Sequence, residues 1–270
     1  TGTGYVNYVA VEAAEYFSRG DIAAVAMQYS QRPSVMSLDR VWEGRHHQRM
    51  LIAAIHDRLA GVPEDKRPRV VLFGESLGAH TSQDAFLHTG TDGLLDKGID
   101  GAVWIGTPYE SGWKKEVLGP PREDTDRSLI GVFNDIGQFE AMGADERGKV
   151  RYVMVTHDND AVTKFGPDLL VRAPDWLGDK RKRPATIPRS ERWTTPTTFM
   201  LTLIDMKNSA NVIPGQFDAK GHDYRADLAR FIRAVYRLDA DDDQLARVEK
   251  ALRRNELERK ERVDKYDKKA

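Results

Sequence analysis

The stretch that most constrains the fold runs from Val70 to Phe86 and reads VVLFGESLGAHTSQDAF. Four apolar residues lead into Gly-Glu-Ser-Leu-Gly, and a segment with helical character follows. A short apolar run before a turn predicts a buried strand, and a sharp passage from strand to helix needs small residues at the turn. The sequence therefore predicts a strand, turn and helix unit with Ser76 at its apex.

The same alternation of strand and helix continues along the chain. The pattern predicts helices at residues 6–20, 40–59, 76–86 and 223–238, and strands at residues 21–30, 70–73, 101–106 and 150–156. Strands that alternate with helices favour parallel pairing. We therefore expect an α/β fold with a doubly wound, mostly parallel sheet over residues 1–238.

Composition excludes several classes of protein. The chain has 270 residues, with 41 Lys and Arg against 42 Asp and Glu, so its charge gives no indication of nucleic-acid binding. It has no cysteine, which excludes disulfides, thiolate catalysis and zinc–sulfur sites. No other cofactor or metal is indicated. Residues 239–270 hold ten acidic and ten basic residues and predict a charged, solvated helix or fraying tail without a functional role.

Ser76 lies where a nucleophile would be expected. Gly74 and Gly78 lack the Cβ atoms that would crowd such a turn, and the turn forces the serine into a strained backbone conformation. The dipole of the following helix favours the negative charge that forms when a serine attacks a carbonyl carbon. The pattern therefore predicts a nucleophile elbow.

A nucleophilic serine needs a base, and the base needs an orienting carboxylate. The predicted strand at residues 150–156 is followed by Asp158 and Asp160. Asp160 is preferred because Asp-Ala-Val is typical of the turn that carries the acid, and Asp158 is the alternative.

His222 is the candidate base. It lies in a Gly-His loop directly before the last helix of the predicted domain, after the acid in the chain order Ser, acid, His. Five histidines lie well before the acid in the chain, and a sixth, His157, lies too near it in sequence to reach across easily.

Two N–H donors would be needed for the oxyanion. The backbone of Leu77 supplies one, and the opening Thr-Gly-Thr-Gly, through Thr3 or Gly4, is expected to supply the other. A phosphate-binding loop is disfavoured there because no Lys-Ser/Thr follows.

Several segments together resemble a known family: TGTGYVN, DIAAVAMQYS, RPRVVLFGESLGA, DGAVWIGTP, HDNDAV, PDLLVRAPDWL and GHDY. From Thr1 to about Leu238 the chain resembles the α/β-hydrolase domain of a bacterial family of multi-pass membrane proteins. The resemblance implies a serine hydrolase with Ser76, Asp160 and His222 as its triad. It also implies a location at the cell membrane, on a side not indicated, through a membrane segment outside this chain.

In the fold that the resemblance implies, the strand before the oxyanion loop lies beside the strand that carries the serine. We therefore expect the N-terminal strands of the sheet to be missing from this chain, with the upstream strand supplied by another chain or by sequence not included here.

The expected activity is hydrolysis of carboxylic esters, with a small ester or lipid as substrate and no nucleic-acid partner. Acyl transfer to an alcohol and a catalytically silent interaction module are the alternatives. Residues 108–147 and 164–214 are expected to form a lid whose aromatic side chains suit an acyl or aryl group, although core packing explains them equally well.

Overall fold

The computed structural model describes residues 6–32, 34–209 and 211–267. In this part of the chain, four strands form one sheet: β1 (Val70–Glu75), β2 (Ile99–Ile105), β3 (Ile130–Phe133) and β4 (Tyr152–Val155). The helices are α1 (Tyr8–Phe17), α2 (Val41–Ala60), α3 (Leu77–Asp84), α4 (Asp92–Asp96), α5 (Gly112–Leu118), α6 (Ile136–Glu140), α7 (Ala144–Lys149), α8 (Thr197–Asn208), α9 (Arg225–Val235) and α10 (Asp242–Asp267).

The sheet is parallel throughout, with strand order β1-β2-β4-β3. The central strand β2 pairs with β1 on one side and β4 on the other. Parallel strands bring their carboxyl ends to the same edge of a sheet, so the segments after β1 and β4 lie at one end of the molecule. The predicted α/β fold with a parallel sheet is confirmed.

Helices cover both faces of the sheet, and each face has its own apolar core. Alternate residues of β2 point to opposite faces. Val103 and Ile105 pack in the cluster formed with α1, α9 and α10, whereas Ala102 and Trp104 pack in the cluster formed with α2, α3 and α5.

Strand β1 has an edge that no strand among the described residues covers. The N–H of Ser76 bonds to the carbonyl of Ile105 on the β2 side. By the alternation of a strand, the backbone groups of Val71, Phe73 and Glu75 point to the opposite side. This is the edge at which the sequence predicts an additional strand, and that strand stays a prediction.

Residues 21–30 do not form the predicted strand; the chain there is irregular. Their apolar side chains are largely exposed, and Val25 is 65% exposed. Backbone groups of a strand need a partner strand, and within the described ranges none lies beside this segment.

Part of the predicted lid belongs to the core instead. Residues 108–147 contain β3, and Trp113, Phe133 and Phe139 are buried in the two apolar clusters. Their aromatic rings therefore stabilise the fold and do not form a lid.

In the charged C-terminal segment, residues Asp242–Asp267 form α10, which is not simply a solvated helix or fraying tail. Leu245, Val248 and Leu252 on one face of α10 pack into the cluster that includes α1 and α9.

None of the helices in the described ranges combines the length and apolar character needed to cross a membrane.

Candidate active site

Ser76 lies at the junction of β1 and α3, where the chain turns sharply. Its backbone has φ 52° and ψ −121°, a conformation that non-glycine residues rarely adopt. Such strain persists only where the surrounding structure holds it, and it is typical of functional sites. The strain expected at the elbow is therefore present.

The two glycines of the turn differ in what surrounds them. A Cβ on Gly74 would lie 2.6 Å from the Cα of Ala79 and 2.8 Å from its nitrogen, which are backbone atoms that cannot easily move. A Cβ on Gly78 would have nothing within 4 Å. The expected steric role is therefore right for Gly74 and wrong for Gly78, because the start of α3 leaves the second position open.

Asp160 and His222 are brought together by two loops far apart in sequence. Asp160 follows β4, and its carboxylate Oδ2 lies 2.8 Å from Nδ1 of His222. Asp160 has no exposed surface. The other predicted acid, Asp158, is half-buried, and its backbone N–H donates to the side chain of Asn134. The geometry therefore favours Asp160 as the partner of His222.

The charges of this pair support each other. Burial opposes ionisation of Asp160, but the positive charge of His222 and hydrogen bonds from His222, Tyr224 and Val162 lower its pKa below the ordinary value. Burial likewise opposes protonation of His222, yet the charge and hydrogen bond of Asp160 outweigh it and raise the pKa of the imidazole. With Nδ1 bonded to Asp160, Nε2 is the ring nitrogen that can accept a proton.

Tyr224 is a third member of this cluster that sequence reasoning missed. Its hydroxyl donates to Oδ2 of Asp160 at 2.6 Å and accepts from the backbone N–H of His157 at 3.1 Å. The ring of His157 stacks on the ring of Tyr224 at 4.2 Å, and its Nδ1 lies 2.9 Å from the carbonyl of Gly221. The signal in the sequence is the tyrosine two residues after the candidate base.

Gly106, directly after β2, leaves room for the imidazole of His222. Its φ is 57°, and a Cβ there would lie 2.3 Å from Cε1 of His222. A side chain at this position would displace the imidazole, so the glycine is needed for His222 to reach Asp160.

Leu77 is the first expected oxyanion donor, and that role stays a prediction. Leu77 is the first residue of α3, so its N–H has no acceptor within the helix. Thr3 and Gly4, the expected source of the second donor, lie outside the described residues. Just after them, Asn7 caps α1 by accepting from the N–H of Ala10, and it donates to the carboxylate of Glu75 at 2.9 Å.

A buried polar network holds α3 against the segment that follows β2. Gln83 donates to the Thr107 hydroxyl, and Ser111 donates to both Gln83 and Asp84. Asp84 also accepts from the backbone N–H of Trp113. The helix that carries Leu77 is thus fixed to the loop beside the cavity.

Ser76 and His222 line one cavity of about 2150 Å³. Most of its lining is apolar, and residues 22–27, α1, α2, β1 and residues 165–167 all contribute to it. Within the described part of the chain, the His222 side chain bonds to Asp160, and no hydrogen bond joins it to the Ser76 hydroxyl.

The second predicted lid segment borders this cavity in part. Phe165 lines it and packs against Phe199 on α8, with ring centroids 5.0 Å apart. Trp193 instead donates to the backbone carbonyl of Leu169, which joins two parts of the same segment.

The parallel sheet, the strained serine after its first strand and the Asp–His pair at the same end of the sheet are together typical of an α/β-hydrolase fold. The family model described as the Alpha/beta-hydrolase family matches residues 1–248, and the chain belongs to this family. No curated protein and no solved structure matches the chain significantly.

Proposed function

We propose that the protein is a serine hydrolase that cleaves carboxylic esters through an acyl-enzyme. The observation that carries the proposal is the buried Asp160 bonded to His222 in the cavity that also exposes the strained Ser76. These are the residue types that nucleophilic catalysis by serine uses, in the chain order of the α/β-hydrolase fold.

The proposed reaction has two half-reactions. Nε2 of His222 takes the hydroxyl proton of Ser76 while the serine oxygen attacks the ester carbon. The Leu77 N–H donates to the oxyanion that forms. His222 then gives the proton to the departing alcohol, which leaves an acyl group on Ser76. Water, deprotonated by His222, attacks this acyl group and releases the acid, and the proton returns to Ser76.

The apolar lining supports an acyl or lipid-like group on the acid side of the ester. A cavity of about 2150 Å³ exceeds the volume of about 300–1,000 Å³ that is usual for small-molecule sites. Part of it follows the uncovered edge of β1, so we assign acyl binding to the part next to Ser76. Leu77, Val162 and Phe165 are among the apolar residues that line the cavity.

Acyl transfer is the second candidate because it shares the first half-reaction, with an alcohol replacing water in the second. The apolar cavity gives no preference between the two. Location at a membrane stays a proposal that rests on the resemblance, and so do lipid substrates.

A fluorophosphonate probe tests the nucleophile directly. We expect labelling of the wild type at Ser76, located by mass spectrometry of the digested protein, and none in Ser76→Ala. Ser82, a buried serine on α3, provides a matched control, because Ser82→Ala should still be labelled at Ser76. No labelling of a folded wild-type protein would contradict the proposal and favour a silent interaction module.

A panel of p-nitrophenyl esters of increasing acyl length, each with and without an alcohol acceptor, tests the reaction and its substrate class. We expect turnover that increases with acyl length and disappears in Ser76→Ala, since removing a triad member costs several orders of magnitude in rate. Retention of more than a tenth of the activity in this variant would contradict the role of Ser76. A new ester formed from the added alcohol would assign acyl transfer.

A further inference from the structure

Helix α10 carries one acidic side chain that differs from the others of this charged segment. Glu256 is 5% exposed, although it lies on a helix whose other charges are mostly in solvent. It also lies beyond residues 1–248, the part of the chain that the family model matches. Burying a carboxylate is costly unless it is paired and hydrogen-bonded, so its partners indicate what it holds.

The partners of Glu256 belong to the loop that carries the candidate base. Both carboxylate oxygens accept from Nη1 of Arg225, at 2.6 and 2.7 Å, and Oε2 accepts from the backbone N–H of Gly215 at 2.6 Å. The carboxylate thus fixes the beginning and the end of residues 215–225, the segment that contains His222.

Arg225 continues this connection to the neighbour of the base. Its Nε and Nη2 bind the two carboxylate oxygens of Asp223 at 2.8 and 2.7 Å, and Nη2 donates to the carbonyl of Gln216 at 2.9 Å. Asp223 follows His222 directly in the chain. A rigid fork of N–H donors fixes both position and orientation of its partners, which a single ammonium group would not do.

The same turns of α10 also hold the helix that lies beside the nucleophile. Arg259 pairs with Glu12 and stacks over the ring of Tyr8, 3.6 Å from its centroid, while the Tyr8 hydroxyl donates to Glu256 at 3.3 Å. These residues lie on α1, whose capping residue Asn7 binds Glu75, the neighbour of Ser76. One segment of α10 therefore connects to both sides of the site.

We propose that Glu256 is a positioning residue that acts through Arg225 and Asp223 to hold His222 in place for Ser76, which makes α10 part of the catalytic unit. The proposal rests on the proposed function, in which His222 is the base. Neither Glu256 nor Arg225 contacts the reacting atoms; their effect is on where the imidazole lies.

The test compares Glu256→Gln with Glu258→Gln in the full chain. Both changes remove one negative charge from α10, but Glu258 is exposed and its carboxylate lies 3.7 Å from Arg254 and 3.6 Å from Arg262. We expect Glu256→Gln to lower kcat for a p-nitrophenyl ester about 10- to 100-fold with KM changed less than threefold, because a small misplacement of a catalytic group costs rates of this order. Glu258→Gln should match the wild type.

Two further measurements separate positioning from folding. Arg225→Lys keeps the positive charge but cannot bind Asp223 and Glu256 as a fork, so it should lower kcat as Glu256→Gln does. The Nδ1 proton of His222 should give a downfield NMR signal, which is assigned by its loss in His222→Gln. We expect this signal to shift or broaden in Glu256→Gln and in Arg225→Lys, at temperatures where circular dichroism shows a folded chain.

The outcomes are distinguishable. If both folded variants lose thermal stability but keep the wild-type kcat and the His222 signal, Glu256 only stabilises the fold and the inference is wrong. If one of the two variants unfolds, the kcat and the His222 signal of the other variant decide between positioning and folding. If the folded wild type neither reacts with fluorophosphonate nor turns over esters, the proposed function fails, whereas the His222 signal still reports whether Glu256 positions the imidazole.

Discussion

His222 and Ser76 line the same cavity, and the structure holds them in different ways. His222 is fixed by side chains: Asp160 binds its ring, and Tyr224 in turn binds Asp160. Ser76 is fixed by its backbone, through a strained conformation at the end of β1 and the start of α3. The strand that carries it has an edge which no described strand covers.

This difference indicates which substitutions each side tolerates. A site held by side-chain hydrogen bonds is sensitive to the loss of single polar atoms, since a buried partner is then left unsatisfied. A site held by backbone conformation is sensitive to any added atom that the turn cannot accommodate. The predictions below test the two sides separately.

Loss of the orienting carboxylate should have the largest effect. By analogy with other triads, Asp160→Asn should lower kcat on the order of 10⁴-fold, because the imidazole loses both its correct tautomer and its stabilising charge. Asp158→Asn, two residues away on the same loop, should change kcat little. Steady-state kinetics on one ester checks both, and the reverse result would assign the role to Asp158.

On the nucleophile side, the two glycines should respond oppositely. Gly74→Ala places a methyl group against the backbone of Ala79 and should destabilise the protein by about 3 kcal/mol, at the upper end of overpacking effects. Gly78→Ala meets open space at the start of α3 and should leave stability unchanged or raise it by up to about 1 kcal/mol. Urea denaturation of the two variants measures this difference. If both variants lost the same free energy of unfolding, Gly78 would also be sterically required, and the difference drawn between the two glycines would be wrong.

Removal of the Tyr224 hydroxyl should have a moderate effect on the base side. Tyr224→Phe keeps the ring that stacks on His157 but removes the hydrogen bond to Asp160. We expect kcat to fall about tenfold, in line with the loss of one hydrogen bond to a charged group, which is worth about 1.5–3 kcal/mol. Tyr152→Phe, which removes a buried hydroxyl bonded to the carbonyl of Ile99, is the matched control and should leave kcat unchanged. A wild-type kcat in Tyr224→Phe would restrict the tyrosine to a packing role.

The smallest expected effect is on the pH profile. His222 must be neutral to take the proton of Ser76, and Asp160 raises the pKa of His222 above its ordinary value of about 6.5. Activity is therefore present above this raised pKa and is lost as the pH falls through it. We expect the acid limb of kcat/KM to lie above pH 6.5 and to move to lower pH in Asp160→Asn, where the anion is absent. A limb below pH 6.5 in the wild type would contradict the coupling of the two residues.

Much of the candidate site follows from local patterns. The apolar run before Gly-Glu-Ser-Leu-Gly predicts β1 and the turn at Ser76, because burial, strand formation and turn geometry are all properties of neighbouring residues. The loop after a later strand and the loop before the last helix likewise predict the positions of Asp160 and His222. The alternation of strands and helices predicts the parallel sheet.

Other features depend on contacts that no local pattern shows. Residues 21–30 have a strand-like sequence, but a strand forms only where a neighbour pairs with it. Strand β3 is short and lies within a segment of turns and short helices, so its pattern is weak. The support of Asp160 by Tyr224, and of the base loop by Glu256, joins residues that only the folded chain brings together.

The sequence by itself thus determined the fold class and the order of the candidate catalytic residues, since both are encoded in apolar runs and turn glycines. The tertiary structure decided which of Asp158 and Asp160 faces His222, and that Gly74 rather than Gly78 is sterically required. It also decided that one face of a charged helix is buried beside the base loop. The physical reason is that pairing, burial and close approach are properties of atoms in space, and residues far apart in the chain meet only after folding.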